Sequence, residues 1–386
     1  MTRTPFFIRA LAASSLAIVA AASGAAAQGT TSAQSFGYPV GELSTRALGT
    51  AGAIGEVDAR SSINPAALVL QPQGAVFAQY DPELRTVTTS AGTAHTTTAR
   101  FPNVGAVLPV NRRLVLGVSA STFLDRTWET NTSRTLKFAP TDDSLVTFNE
   151  RRKSDGGIED LRLAAAYAVT PSVRFGLALN GYTGSTRVTA SELFADTLQY
   201  RDVTQVSDVS YGGTAVTAGL IVDLLPKLNI SVSGRKGGHA TMYVNDTAAV
   251  HGDIPDRYSG SVSFEGLPGT IIAARVSREL WSQMASLSAS GAHAVDATDM
   301  SLGAESAGPR LGGFPLLLRA GIRRRDLPFQ VGTTTVRETS FGGGIGLPIA
   351  YDRVTFDVSV LRSNRTGVAG VDEHAYNLSF GLRVRP

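Results

Sequence analysis

The sequence predicts an all-β protein: a transmembrane antiparallel β-barrel of about 14 strands, with a short N-terminal hatch inside the lumen. Three observations lead there. The chain opens with an export signal, its apolar residues alternate in twos over most of its length, and short turns recur between longer polar stretches. Composition agrees with such a fold. Of 386 residues, 43% are hydrophobic and 17% charged, with 40 glycines and no cysteine. The charged share lies below the roughly 25% of an average soluble protein. Lack of cysteine removes disulfides, thiolate metal sites and cysteine nucleophiles together. A balance of 35 basic against 32 acidic residues, formally +3, is too even for a chain that must neutralise many phosphates. No nucleic-acid partner is therefore expected.

The export signal occupies residues 1–27. Met1 to Arg9 carries Arg3 and Arg9 and no acid, Ala10 to Ala22 is apolar, and Ala25-Ala26-Ala27 offers small residues for cleavage before Gln28. The apolar stretch is too short to span a bilayer as a helix, which takes about 20 residues. Losing the two arginines moves the formal charge from +3 to +1. No later apolar run is long enough for a spanning helix. A secreted chain that enters a membrane without such a run must do so with strands, which places it in an outer membrane of the Gram-negative type.

Residues 74–386 form the expected barrel. Val173, Phe175, Leu177 and Leu179 alternate with Arg174, Gly176, Ala178 and Asn180, and Leu228, Ile230 and Val232 with Asn229, Ser231 and Ser233. Val354, Phe356, Val358 and Val360 do the same, as do Tyr376, Leu378, Phe380, Leu382 and Val384. Successive strand side chains point to opposite faces, so one face is apolar and the other small, polar or charged. Pro109, Pro171, Pro226, Pro268 and Pro348 each mark a tight connection, while 131–156, 189–205 and 238–257 are longer and polar. Short turns on one side and long loops on the other give seven hairpins, at roughly 22 residues per strand with its connection. Val336-Arg337-Glu338 leading to Gly346-Leu347 is echoed by Val371-Asp372-Glu373 leading to Gly381-Leu382, as two equivalent descending strands would require.

Residues 28–73 do not alternate. Glu42 to Gly55 is dense in glycine and alanine, and Ser62-Ile63-Asn64-Pro65-Ala66-Ala67-Leu68 follows. Asparagine can cap free backbone N–H groups and proline suits the first turn, so Asn64-Pro65 starts a helix. Such a compact stretch is expected to be the hatch, with Arg46, Gly49, Gly52, Asn64, Pro65 and Ala66 as its key residues. A periplasmic tail is the alternative.

Here the sequence resembles a family. Arg-Ala-Leu-Gly at 46–49, a Gly/Ala patch, and Ser-x-Ile-Asn-Pro-Ala at 61–66 running into a first strand are similar to FadL-type outer-membrane transporters of long-chain fatty acids. Phe101 to Pro109 and Leu114 to Ser119 resemble that family's second and third strands. The resemblance implies a 14-stranded barrel with a hatch, passive uptake of hydrophobic molecules, and a kink in the third strand, here within 112–128, that opens the wall sideways. Two features depart from it: the stretches 131–156 and 189–205 are polar, and the chain ends Val384-Arg385-Pro386 rather than on an aromatic residue. The short hatch and Leu327-Pro328-Phe329 also resemble PorV-type barrels, which implies the alternative role of anchor or shuttle in protein secretion.

Strand parity turns Arg162, Arg174, Arg319, Arg323, Glu338, Asp357, Glu373, Arg383 and Arg385 toward the lumen, since charge facing lipid near the midplane costs about 2–4 kcal/mol. Such arginines could meet a carboxylate head group. The favoured reading is a network that holds the hatch, through Glu42, Arg46, Asp58 and Arg60, because buried charges pair. No enzyme chemistry is indicated. The five histidines are scattered, none at metal-ligand spacing, and no nucleophile elbow is present. Gly342-Gly343-Gly344-Ile345-Gly346 lacks the spacing of a dinucleotide loop. Asp142-Asp143 and Asp253/Asp256 suit a solvated surface, and Trp128 and Tyr182 suit an interfacial aromatic girdle. Neither cofactor nor metal is expected. The expected partners are a hydrophobic, fatty-acid-like ligand, outer-membrane lipid with lipopolysaccharide, and the barrel-assembly machinery during biogenesis.

Overall fold

The computed structural model describes residues 37–90, 92–136, 146–195, 200–287, 293–311, 314–331, 334–349, 353–367 and 370–385. The expected signal peptide, residues 28–36 of the expected hatch, and Asp142-Asp143 lie outside the described residues. The strands form one closed antiparallel wall. They run Ala75–Thr89, Gly92–Pro109, Leu114–Asp125 continued by Trp128–Leu136, Val146–Thr170, Val173–Phe194, Val203–Leu225 and Leu228–Val244. Then come Thr247–Asp253 continued by Arg257–Phe264, Thr270–Glu279, His293–Ala294 continued by Ala297–Leu311, Phe314–Val331, Thr334–Ile349, Val354–Thr366 and Val371–Val384. The three continued pairs each lie along a single neighbour, so the segments make 14 strands. The last strand pairs back onto the first, with Tyr80 opposite Phe380, and the barrel closes.

Closure removes the edges that a sheet of this size would otherwise expose. Outward side chains such as Leu163, Leu179, Val216, Val232, Leu302, Phe341, Ile345 and Phe380 are exposed, whereas inward ones are mostly serine, threonine, arginine and acid. An aqueous protein does not leave an apolar band of this extent uncovered. The same band inside a bilayer is the low-energy arrangement.

The polar stretches expected to be loops are largely strand. The fourth, fifth and sixth strands run for 25, 22 and 23 residues, far beyond the 9–11 that cross a membrane. Their outer ends need no apolar face, because water solvates both sides, and cross-strand polar pairs hold the ladder. Arg151 meets Glu129 at 2.7 Å and Arg187 meets Asp208 at 2.8 Å. Tyr182 also departs from expectation. It is buried inside, its hydroxyl donating to Asp160 at 3.3 Å, rather than in an aromatic girdle; its strand parity turns it inward.

The segment before the first strand packs against the inner side of the wall. Ser44 caps the short helix Thr45–Gly49, its Oγ accepting from the Ala47 amide. Asn64 caps the 3-10 turn Pro65–Leu70, its Oδ1 accepting from the Ala66 amide at 2.9 Å. Alanine and glycine let this backbone lie directly on strand backbone. A side chain at Gly176 of the fifth strand would put its Cβ 2.5 Å from the Pro65 carbonyl carbon. Gly176→Val is therefore expected to expel the Pro65–Leu70 turn while the barrel still closes. Heat-modifiable migration should stay wild-type, and limited proteolysis should newly cut within residues 60–73.

Candidate functional site

Three layers occupy the lumen. The outer layer is apolar. After the ninth strand the chain turns inward as a 3-10 segment, Trp281–Leu287, whose Trp281, Met284 and Leu287 are almost fully buried. Trp281 stacks on Phe123 of the third strand at 5.1 Å, and Phe123 meets Tyr182 edge-on at 4.9 Å. Strands so far apart in the wall touch only through the interior. Leu124, Ile158, Ile254, Leu327 and Phe329 complete this cluster.

Beneath it lies a charged layer tying the N-terminal segment to the wall. Glu42 receives Arg235 at 2.8 Å and Arg257 at 2.6 Å. Arg46 meets Glu305 at 2.6 Å, and Arg60 meets Asp357 at 2.5 Å. Arg319 joins these two acids, at 2.5 Å from Glu305 and 2.6 Å from Asp357. Asp58 lies 3.5 Å from Arg60 and 3.6 Å from Arg46, and accepts from Ser44 and Ser61. Burial alone would raise the Asp58 carboxyl, but Arg60, Arg46 and the two serines hold it down to about 2. Arg257 and Arg235 likewise outweigh burial at Glu42 and lower it. Between the apolar and charged layers is a cavity of about 70 Å³, lined by Phe123, Trp281, Leu43, Ile63 and Arg257 among others. An empty space that binds benzene is about 150 Å³, so this chamber must enlarge before it admits even one ring.

The third layer is a vestibule of about 570 Å³ at the short-turn end, bordered by Arg46, Leu70, Arg174, Ile221, Leu224 and Lys227.

The structure distributes the residues singled out in the sequence over these layers. Arg319, Asp357 and Arg46 belong to the charged floor. Arg323 pairs with Asp299 at 2.6 Å beside the chamber. Glu338 and Glu373 both receive Arg365 at 2.7 Å. Arg174 meets Asp223 at 2.7 Å in the vestibule, and Arg383 donates to Thr355 nearby on the wall. Arg162 is buried, its Nε without a hydrogen-bond partner, in a narrow space it shares with Asn64 and Pro65. Ala66 is fully buried, Gly49 lies against Arg319 and Ser359, and Gly52 has a positive φ of 93° beside Leu43. Sequence reasoning missed Tyr38, Phe123, Trp281, Arg235 and Arg257, whose partners are all distant in the chain. Among the described residues, no three histidine or acid side chains are placed to hold a metal ion.

The wall itself has an opening. The second and third strands pair only from Asn103 opposite Ser121 down to Pro109 opposite Val115. Above that rung, among the described residues, the second strand pairs only with the first, and the third only with the fourth. The third strand is bulged between Thr122 and Leu124 and interrupted after Asp125, so Ser121 to Asp125 are all buried and alternation is lost. One side-chain pair spans the gap, and the N-terminal segment covers its third-strand edge. Arg100 reaches Asp125 at 2.5 Å, and Tyr38 exchanges two backbone hydrogen bonds with Asp125, at 2.7 and 2.9 Å. Burial pushes the Tyr38 phenol up, so it stays protonated and donates to Glu338.

No protein-family model matches this sequence, and no curated protein matches it significantly. Solved structures do. A Pseudomonas aeruginosa FadL homologue aligns at a TM-score of 0.64 and 12% identity, covering 90% of this chain and 99% of its own. The monoaromatic hydrocarbon channel CymD gives 0.57 at 16% identity, covering 90% and 98%. The Ralstonia pickettii toluene transporter TbuX gives 0.55 at 15%, covering 93% and 99%. At these identities the likeness establishes a shared fold over the whole barrel.

The charged floor makes a pH prediction. A carboxyl lowered in the folded state stabilises docking above its unfolded value, about 3.9, and that contribution is lost as pH falls through the folded value. Hydrogen exchange across residues 44–61 is expected to stay slow down to pH 4 and to accelerate between pH 4 and 2. Glu42→Gln leaves the wall arginines Arg235 and Arg257 without this partner and should weaken docking by about 3 kcal/mol at neutral pH, measured by the same exchange.

Proposed function

We propose that this protein is an outer-membrane channel for passive uptake of hydrophobic small molecules, with fatty acids and single-ring aromatics as the candidate ligand classes. The observation that carries the reading is that the apolar layer ends at Phe123, in the same bulge where the second and third strands separate. A ligand buried among Trp281, Phe123 and Leu124 adjoins a break in the wall, and beyond the wall is lipid. Support also comes from the fold shared with a FadL homologue, a hydrocarbon channel and a toluene transporter. In this reading residues 37–73 act as a hatch that blocks the straight route and leaves the sideways one.

Binding in the apolar layer would draw on about 25 cal/mol per Å² of buried surface. Transfer from there into the bilayer exchanges one apolar setting for another, so it requires no energy source.

The chain has no cysteine, which makes a staple across the gap clean. Arg100→Cys with Asp125→Cys, joined by a short reducible cross-linker, is expected to cut uptake of a radiolabelled fatty acid and of toluene into proteoliposomes at least fivefold. Reduction should restore it. Undiminished uptake in the stapled form would sink the lateral route. No uptake by the unmodified protein, together with a secreted polypeptide that co-purifies, would favour the secretion-partner role instead.

A further inference from the structure

Tyr38 sits in a setting more specific than a plug requires. The guanidinium carbons of Arg365, Arg325, Arg100 and Arg85 lie 4.6, 4.9, 5.3 and 5.8 Å from its ring centroid. All four fall within cation–π range. They come from the thirteenth, eleventh, second and first strands, which lie in one continuous arc of the wall. Its hydroxyl donates to Glu338 Oε2 at 2.9 Å and accepts from Arg325.

Wall carboxylates hold these arginines in place. Glu338 receives Arg325 and Arg365 at 2.7 Å each, and Glu83 receives Arg85 at 2.7 Å and Arg100 at 2.6 Å. The cage is therefore built from the barrel, while its occupant belongs to the separate N-terminal segment. That occupant's backbone strip also pairs with the third-strand edge of the wall opening, at Asp125. Gly37 permits the approach. Its φ is +114°, and a Cβ there would stand 2.8 Å from the Asp125 carbonyl oxygen.

We propose that this cage is a ligand site for a phenol, a single aromatic ring bearing a hydroxyl, kept occupied by the chain's own phenol, so that a ligand displacing Tyr38 also frees the strip that covers this edge. The link to transport rests on the channel reading above; the binding site does not. The chemistry selects the ligand. Four cations favour a ring face, and Glu338 Oε2 accepts a hydroxyl beside Arg365. Toluene would take one of two donors from Glu338 Oε2 and the acceptor from an Arg325 N–H, a mismatch that sites built for hydroxyls reject. A carboxylate would face Glu338, Glu83 and Glu373. The tethered Tyr38 competes at a high effective concentration, which weakens the apparent affinity of any free phenol.

The test uses the full-length chain in detergent micelles with 4-methylphenol, the free counterpart of the tyrosine side chain, and toluene as control. Calorimetry on Tyr38→Ala is expected to give at least tenfold tighter 4-methylphenol binding than wild type, and at least tenfold tighter than its own toluene binding. Gly37→Val, which leaves ring and cage chemically intact but pushes the strip off Asp125, should bind 4-methylphenol severalfold more tightly than wild type. Saturating 4-methylphenol should accelerate exchange of the Asp125 amide in wild type. Tyr38→Ala that migrates as a closed barrel yet binds no better than wild type, or takes toluene equally well, overturns the proposal. So does an Asp125 amide that stays protected at saturation. If Tyr38→Ala does not fold, Gly37→Val decides: unchanged affinity overturns the proposal. Binding in Tyr38→Ala without any uptake by the wild-type protein would remove the channel reading and leave the site.

Discussion

The pairing of charges on the N-terminal segment with opposite charges on the wall is the constraint to which the rest of this barrel answers. Eight strands enclose a space that side chains fill, and sixteen or more leave a water channel. Fourteen fall between, and here a piece of chain occupies the interior. Such a piece brings backbone polar groups and charges into a space cut off from water, where each unpaired group is costly. Glu42, Arg46 and Arg60 meet that condition only because Arg235, Arg257, Glu305 and Asp357 project from strands on several sides, while Asp58 is satisfied within the segment by Arg46, Arg60, Ser44 and Ser61. The pairs interlock, since Asp357 serves both Arg60 and Arg319. Removing one partner leaves the other uncompensated, and the penalty keeps the segment docked as a unit. The abundance of inward serine and glycine follows, because a wall of larger residues would hold the segment too far off for the charges to meet.

Backbone accounting explains the opening. Within a bilayer every N–H and C=O must be satisfied by the protein. A strand that leaves its neighbour at Asn103 and Ser121 loses that satisfaction along one edge. The bulge at Phe123 turns the third strand inward, toward a place where the N-terminal strip can supply partners. Tyr38 does so at Asp125, and Arg100 adds a charge-assisted contact between the two edges. The two parts depend on each other, since the break would be unstable without the strip and the strip has no ladder to join without the break.

Much of the fold was legible because lipid imposes a strict rule on a strand's outer face. Val354 to Val360 and Tyr376 to Val384 alternate cleanly, and a period of two fixes which side is which. The Asn64-Pro65 cap was legible for a local reason, as its hydrogen bond spans two residues. What escaped depended on register and on distance. Glu338 meets Arg325 and Arg365 only because three strands align at particular rungs, and a shift by one would separate them. Trp281 stacks on Phe123 across the lumen, and nothing near either residue announces the other. The third strand did leave a trace, since Ser121-Thr122-Phe123-Leu124-Asp125 breaks alternation. A simple bulge or a strand end would leave the same trace, so the sequence could not distinguish an opening from either.

The order of the layers favours a sideways path under the proposed function. A hydrophobic molecule among Trp281, Met284 and Phe123 has the charged floor below it. To pass downward it must separate pairs such as Glu42 with Arg257, and then offer apolar surface to the ions left behind. Breaking a buried pair costs about 3–5 kcal/mol, and the floor contains several that share partners. To pass outward it must displace a short strip held by two backbone hydrogen bonds and by the ring and hydroxyl of Tyr38, and separate one buried pair, Arg100 with Asp125. A net backbone hydrogen bond is worth about 1 kcal/mol, and the molecule then enters lipid with its apolar surface still covered. The floor therefore does more than anchor the segment: it makes the straight route the costlier one and leaves the gap beside Phe123 as the path of least resistance.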